Sequence, residues 1–108
     1  MKILGYNAIK VDYMRLSLMA VAYFILNFED MVEEDGRYVY DLEVNVKDKP
    51  LVITAEYRIS APFKGEYPFS FYVESEDVDL ELYFEGCYNL ACSYASDIAT
   101  EYIRRVKK

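Results

Sequence analysis

Histidine is absent from this sequence, and its absence excludes several kinds of chemistry. Without it there is no Ser-His or Cys-His nucleophile pair, no HExxH metal-binding helix and no imidazole that exchanges protons near neutral pH. The 4 glycines lie singly, so neither GxGxxG nor GxxxxGK[ST] is present to hold a phosphate. We therefore predict a protein that is not an enzyme and uses no metal or other cofactor. A pair of catalytic carboxylates among the acidic residues is the weaker alternative.

Basic residues and cysteines are also few. The 12 Lys and Arg against 19 Asp and Glu give a net charge of -7 with no basic stripe, which argues against nucleic-acid binding. Cys87 and Cys92 are spaced to lie on different faces of a helix, so we expect two buried free thiols rather than a disulfide or a zinc site. Together with the lack of a secretory leader, this predicts a cytoplasmic protein.

Long hydrophobic runs are missing as well. The longest covers residues 18–26, whereas a membrane-spanning helix needs about 20 apolar residues, so we expect a buried strand or short core element and no membrane insertion. The composition is nevertheless 54% hydrophobic and 17% aromatic, with 12 Tyr and 6 Phe. A single domain over residues 1–108 has a small interior. We therefore predict a second apolar surface, covered by an oligomer or a partner.

Hydrophobic periodicity predicts an α+β fold. Period-two alternation indicates strands at residues 8–16, 19–33, 38–46 and 51–59, with an Asp35-Gly36 turn before the last two, which form a hairpin with one apolar face. Apolar residues every four positions indicate a long helix over residues 88–106, and a short helix is predicted within residues 74–85. The predicted architecture is a four-stranded antiparallel sheet, with one face covered by the long C-terminal helix and the short helix before it.

Three features are candidate binding surfaces. An aromatic segment interrupted by prolines either binds a partner or closes the end of the core; its rings are Phe63, Tyr67, Phe69, Phe71 and Tyr72. A ridge of small residues on the long helix either meets another subunit or packs on the chain's own sheet; it consists of Ala91, Ala95, Ala99 and Ile103. Acidic clusters are either solvated surface or a docking surface for a basic partner.

Three features resemble the SecB export-chaperone family: the predicted order of four antiparallel strands followed by a long helix, and two stretches of sequence. In Thr-Ala-Glu-Tyr-Arg-Ile-Ser-Ala-Pro-Phe (residues 54–63) an acidic strand position is followed by small residues and an aromatic. In Gly-Cys-Tyr-Asn-Leu-Ala-Cys-Ser-Tyr-Ala-Ser-Asp-Ile (residues 86–98) an Asn and an aliphatic residue precede a Tyr-Ala pair in a helix. The resemblance implies that Glu56 helps to dock a translocation motor. It also implies that Phe63 is the aromatic residue at the start of the crossover segment that binds client chains. With Glu56, the polar strand residues Asp41 and Glu43 complete the predicted docking surface.

The resemblance implies an ATP-independent chaperone that assembles as a homo-dimer or homo-tetramer. Its clients would be unfolded or nascent polypeptides, bound through exposed hydrophobic surface in protein export or for a dedicated client. The alternative is a small oligomeric module that binds an apolar ligand or one specific protein partner.

Overall fold

The computed structural model describes residues 8–46, 48–59, 67–75 and 81–106. In chain order the elements are β1 (Ala8–Asp12), α1 (Tyr13–Leu26), a short 3-10 helix (Phe28–Asp30), β2 (Arg37–Val46), β3 (Lys49–Arg58), β4 (Phe69–Glu74), β5 (Glu81–Glu85) and α2 (Tyr88–Val106). This arrangement is α+β, as predicted. The described strands form a three-stranded sheet, β2-β3-β4, and a separate pair, β1-β5, so the predicted four-stranded sheet is not shown.

The β2-β3-β4 sheet is an antiparallel meander covered on one face. Tyr38 of β2 lies opposite Tyr57 of β3, and Tyr57 lies opposite Phe69 of β4, so these three side chains share the inner face, where all are buried. The predicted turn before β2 is present, with positive φ at Asp35 (54°) and Gly36 (77°). The alternation of residues 38–46 and 51–59 therefore identified both strands and the face that each of them buries.

Residues 13–26 are helical, which corrects the prediction of strands over residues 8–16 and 19–33. Only β1 is a strand there, and it ends where the Asp12 side chain accepts a hydrogen bond from the Met14 amide (2.9 Å) and caps α1. At the other end the Asn27 side chain donates to the Tyr23 carbonyl (2.9 Å). Apolar residues occupy nearly every position of α1, so the alternation of Phe24, Leu26 and Phe28 did not distinguish a strand from a helix.

The second sheet joins distant parts of the chain. β1 pairs in parallel with β5, with Ala8 opposite Glu81 and Asp12 opposite Glu85. The short helix predicted within residues 74–85 is therefore wrong for residues 81–85, which form a strand, and residues 76–80 lie outside the described part of the chain. After β5, Gly86 has φ of +87°, a conformation that L side chains rarely adopt, and the chain then enters α2.

The long helix predicted over residues 88–106 is confirmed, and it packs beside α1 on the inner face of the three-stranded sheet. Phe24 of α1 is fully buried at the centre of this core, with its ring 5.5 Å from Tyr38 and 5.5 Å from Tyr57. Polar contacts help to fix the helices on the sheet, and two of those among the described residues are buried. The Tyr40 hydroxyl donates to the Ala20 carbonyl of α1, and the Phe69 amide donates to Ser96 Oγ of α2 (3.0 Å).

Candidate functional site: an aromatic cleft

An open cleft of about 410 Å³ lies where α1 and α2 begin and where β4 and β5 approach each other. Tyr72 is 56% exposed and Phe84 is 38% exposed, so two of its rings present much of their area to solvent. We call it the aromatic cleft; its lining residues are Tyr13, Phe71, Tyr72, Val73, Phe84 and Tyr88.

Ring contacts between separate elements hold the walls of the aromatic cleft in place. Tyr13, the first residue of α1, stacks on Phe84 of β5 with ring centroids 4.9 Å apart. It also meets the edge of Tyr88 of α2 at 5.4 Å, and Tyr88 in turn contacts Phe71 of β4 at 5.2 Å. Such pairs contribute about 0.5–1.5 kcal/mol each beyond the area that they bury. The cleft is thus a preformed surface, shaped by residues that lie far apart in the sequence.

The Tyr88 hydroxyl is bound to the backbone of β4 at Phe71. It donates to the Phe71 carbonyl (2.6 Å) and accepts from the Phe71 amide (3.1 Å). Burial raises the pKa of Tyr88 from its ordinary 10.0 to about 12, while the hydrogen bond to the Phe71 backbone acts in the opposite direction. Burial likewise raises the pKa of the neighbouring Cys92 thiol. Both groups are therefore neutral at physiological pH, and the cleft presents rings rather than a nucleophile or a charge.

The structure separates the five rings predicted to bind a partner. Phe69 and Phe71 are buried in the core at 0% and 4% exposure, which matches the alternative that the segment closes the core. Tyr67 and Tyr72 are exposed, and only Phe71 and Tyr72 line the aromatic cleft. Phe63 lies outside the described residues. Alternation along β4 explains why Tyr72 is exposed whereas Phe69 and Phe71 are buried, because neighbouring residues of a strand point to opposite faces. Tyr67 precedes the strand.

The predicted docking acids lie together on the outer, solvent-facing side of the three-stranded sheet. Asp41 and Glu43 are exposed on β2. Glu56 of β3 is only partly exposed and accepts a hydrogen bond from Arg37 at 2.9 Å. The Arg37 guanidinium offsets the charge of Glu56, although an exposed pair of this kind contributes only about 0–1 kcal/mol to stability. Asp41 and Glu43 are therefore the more available acids.

The small residues of α2 are inside the protein. Ala91, Ala95 and Ala99 are all 0% exposed, and Ile103 packs against the core. This is the second of the two alternatives for the ridge, and these alanines therefore offer no surface to another subunit. Small side chains are needed there because they let α2 lie close to the rest of the core. The opposite face of α2 carries exposed Leu90 and Tyr94.

Four residues that line the aromatic cleft were not predicted from the sequence, namely Val73 and the three aromatic residues Tyr13, Phe84 and Tyr88. Local sequence could have indicated only that two of these residues begin helices. Tyr13 directly follows Asp12, which caps α1, and Tyr88 begins α2 two residues after Gly86. What brings them together is the pairing of β1 with β5, which no local pattern indicates. The expectation of two buried thiols also needs correction, because both are free but Cys87 is exposed.

A larger cleft, of about 500 Å³, lies between α1, the end of β2 and the β1-β5 pair. Asp12, Arg15 and Glu85 contribute to its lining beside Leu16 and Met19. A wall with this many charged groups does not suit an apolar small molecule, which favours the aromatic cleft as the binding site.

Comparison of the chain with family models, curated proteins and solved structures finds no match. Among the described residues, no group of three or more His, Cys, Asp or Glu side chains is arranged to hold a metal ion. Within the same residues, neither α1 nor α2 combines the length and the apolar character that crossing a membrane requires.

Proposed function

We propose that this protein is a non-enzymatic, chaperone-like polypeptide-binding protein that holds apolar segments of unfolded or unassembled chains. The main observation in support of this proposal is the aromatic cleft, an open and preformed concave surface. Tyr72 and Phe84 are the exposed aromatic residues that line it. Aromatic rings contribute large apolar area at little entropic cost and are enriched at recognition surfaces. The resemblance of residues 54–63 and 86–98 to the SecB family supports the same class of function.

The expected strength of binding follows from the size of the cleft. A cleft of about 410 Å³ accepts one or two large side chains of a bound segment. Burying a Leu or Phe side chain contributes roughly 1.5–3 kcal/mol, so one cleft binds weakly and exchanges its clients quickly. Tight holding would need several clefts acting on one client, which is the role that assembly into a dimer or tetramer has in this proposal. A cytoplasmic location is part of the same proposal.

The test is an aggregation assay on an unfolding client protein, with the double variant Tyr72→Ala and Phe84→Ala. We expect the native protein to suppress aggregation and the double variant to lose most of this protection, because both exposed rings are removed. Circular dichroism checks that it remains folded, and Tyr72→Ala alone serves if the loss of Phe84 from the Tyr13 stack destabilises it.

Tyr94→Ala is the matched control, because Tyr94 is also 56% exposed but lies on α2, outside the aromatic cleft. Protection that survives in the double variant, or that falls equally in the control, would rule out the cleft as the client site. A native protein that suppresses no aggregation but is stabilised by one folded partner or by a small apolar molecule would instead support a dedicated binding module.

A further inference from the structure

The two edges of the three-stranded sheet differ in how their backbone groups are used. At the β4 edge, α2 side chains occupy the outward-pointing groups: Ser96 Oγ accepts from the Phe69 amide and Tyr88 binds both the amide and the carbonyl of Phe71. Side chains that cover an edge in this way block the addition of another strand. The β4 edge is therefore closed over these residues.

Within the described part of the chain, the β2 edge is open over residues 39–45. The Ile59 amide donates to the Gly36 carbonyl (2.8 Å) in the register of the β2-β3 pair. Because hydrogen-bonded positions alternate along an antiparallel pair, the even-numbered residues of β2 are those whose backbone groups bond to β3. The amides and carbonyls of Val39, Asp41, Glu43 and Asn45 consequently point away from the sheet, and no strand among the described residues pairs with them. Arg37 is different, because its backbone already exchanges two hydrogen bonds with Glu34.

An apolar flank of α1 borders this open edge. Tyr23 stacks on Tyr40 of β2 with ring centroids 5.5 Å apart, and Met19 and Leu26, four residues before and three after, lie on the same side of the helix. Met19 is 38%, Tyr23 37% and Leu26 82% exposed. Met19 also lines the 500 Å³ cleft beside Asn45, so there is open space next to the edge. Side chains of an added strand that pointed inward would lie against these three apolar side chains of α1.

Two of the outer-face side chains along the same edge, Asp41 and Glu43, are acidic, and this decides between two kinds of occupant. If a second copy paired antiparallel along the whole of residues 39–45, Asp41 of each copy would lie opposite Glu43 of the other. Like charges directly opposite each other destabilise a strand pair, so the edge disfavours its own copy. Lys or Arg at the matching positions of another chain would instead be attracted.

We propose that the β2 edge binds an extended polypeptide segment in which basic residues alternate with apolar ones. The backbone of the segment pairs with residues 39–45. Its basic side chains lie beside Asp41 and Glu43 on the outer face, and its apolar side chains lie against Met19, Tyr23 and Leu26 on the inner face. This is strand addition to a sheet edge, with side-chain alternation supplying the specificity. The edge is distinct from the aromatic cleft and does not depend on it.

The test measures fluorescence anisotropy of a labelled peptide of alternating Lys and Val. We expect saturable binding that weakens as salt is raised. A peptide with Glu in place of Lys should bind at least about tenfold more weakly, and the Asp41→Lys, Glu43→Lys double variant should reverse this preference. Glu74→Lys is the control, since Glu74 is an exposed acid on β4, the opposite edge strand of the same sheet. Tyr72→Ala should leave the preference for the Lys peptide over the Glu peptide unchanged, which separates this site from the cleft.

A peptide methylated at the backbone nitrogens that face β2 tests the strand pairing itself, and we expect it not to bind. Equal binding of the methylated peptide would overturn strand addition, and an unchanged preference in the double variant would overturn the charge assignment. The proposal would also be overturned if the native protein bound no peptide and light scattering showed a dimer that Val39→Pro abolishes. That result would assign the edge to a second copy.

Discussion

Removal of one oxygen atom, by Tyr88→Phe, tests whether α2 closes the β4 edge. The ring of Tyr88 and its contacts with Tyr13 and Phe71 remain, but the Phe71 amide and carbonyl each lose their partner on α2. A partly buried amide without a partner costs more than the small net gain of a typical hydrogen bond. We therefore expect the free energy of unfolding to fall by about 1–3 kcal/mol.

Thermal or urea denaturation measures this change. For a domain of this size, each kcal/mol lowers Tm by roughly 4–8 °C. Amide hydrogen exchange should show faster exchange at Phe71, because that amide is the group exposed. Tyr72→Phe is the control, since it removes a hydroxyl from an exposed tyrosine next to Phe71, and such a change is expected to stay within about 0.5 kcal/mol.

The reasoning would be refuted if Tyr88→Phe were as stable as the native protein and its Phe71 amide exchanged at the native rate. In that case the hydroxyl would not be what occupies the β4 edge. The contrast between a closed β4 edge and an open β2 edge would then lose its physical basis.

Two further predictions concern titration and thiol chemistry. Burial raises the pKa of Tyr88 from 10.0 to about 12 and also raises that of Tyr40, so the unfolded chain releases these protons first. The stability that these two hydroxyls contribute should be complete below about pH 10 and should decline as the pH rises toward 12 and beyond. In alkaline denaturation curves, the stability of Tyr40→Phe and Tyr88→Phe should therefore fall less steeply with pH than that of the native protein. A thiol reagent should modify the exposed Cys87 quickly in the native protein and the buried Cys92 only on unfolding, as mass spectrometry of the labelled sites would show; equal rates would contradict this burial pattern.

Local sequence pattern was sufficient to predict the parts of the fold in which pattern and burial agree. Alternation from Tyr38 to Val46, the Asp35-Gly36 turn and the four-residue repeat of α2 each indicated one structure, and all three are present. The surplus of apolar residues was also evident, and exposed Leu18, Tyr23 and Leu26 show where part of it lies.

The remaining features could not be predicted from local pattern, because contacts between residues far apart in the sequence outweighed it. α1 is apolar on almost every side, so its period did not reveal a helix, and β5 became a strand by pairing with β1. The alanine ridge became core once α1 lay beside α2. The aromatic cleft and the difference between the two sheet edges arise in the same way, since each depends on which backbone groups and rings the assembled elements leave uncovered.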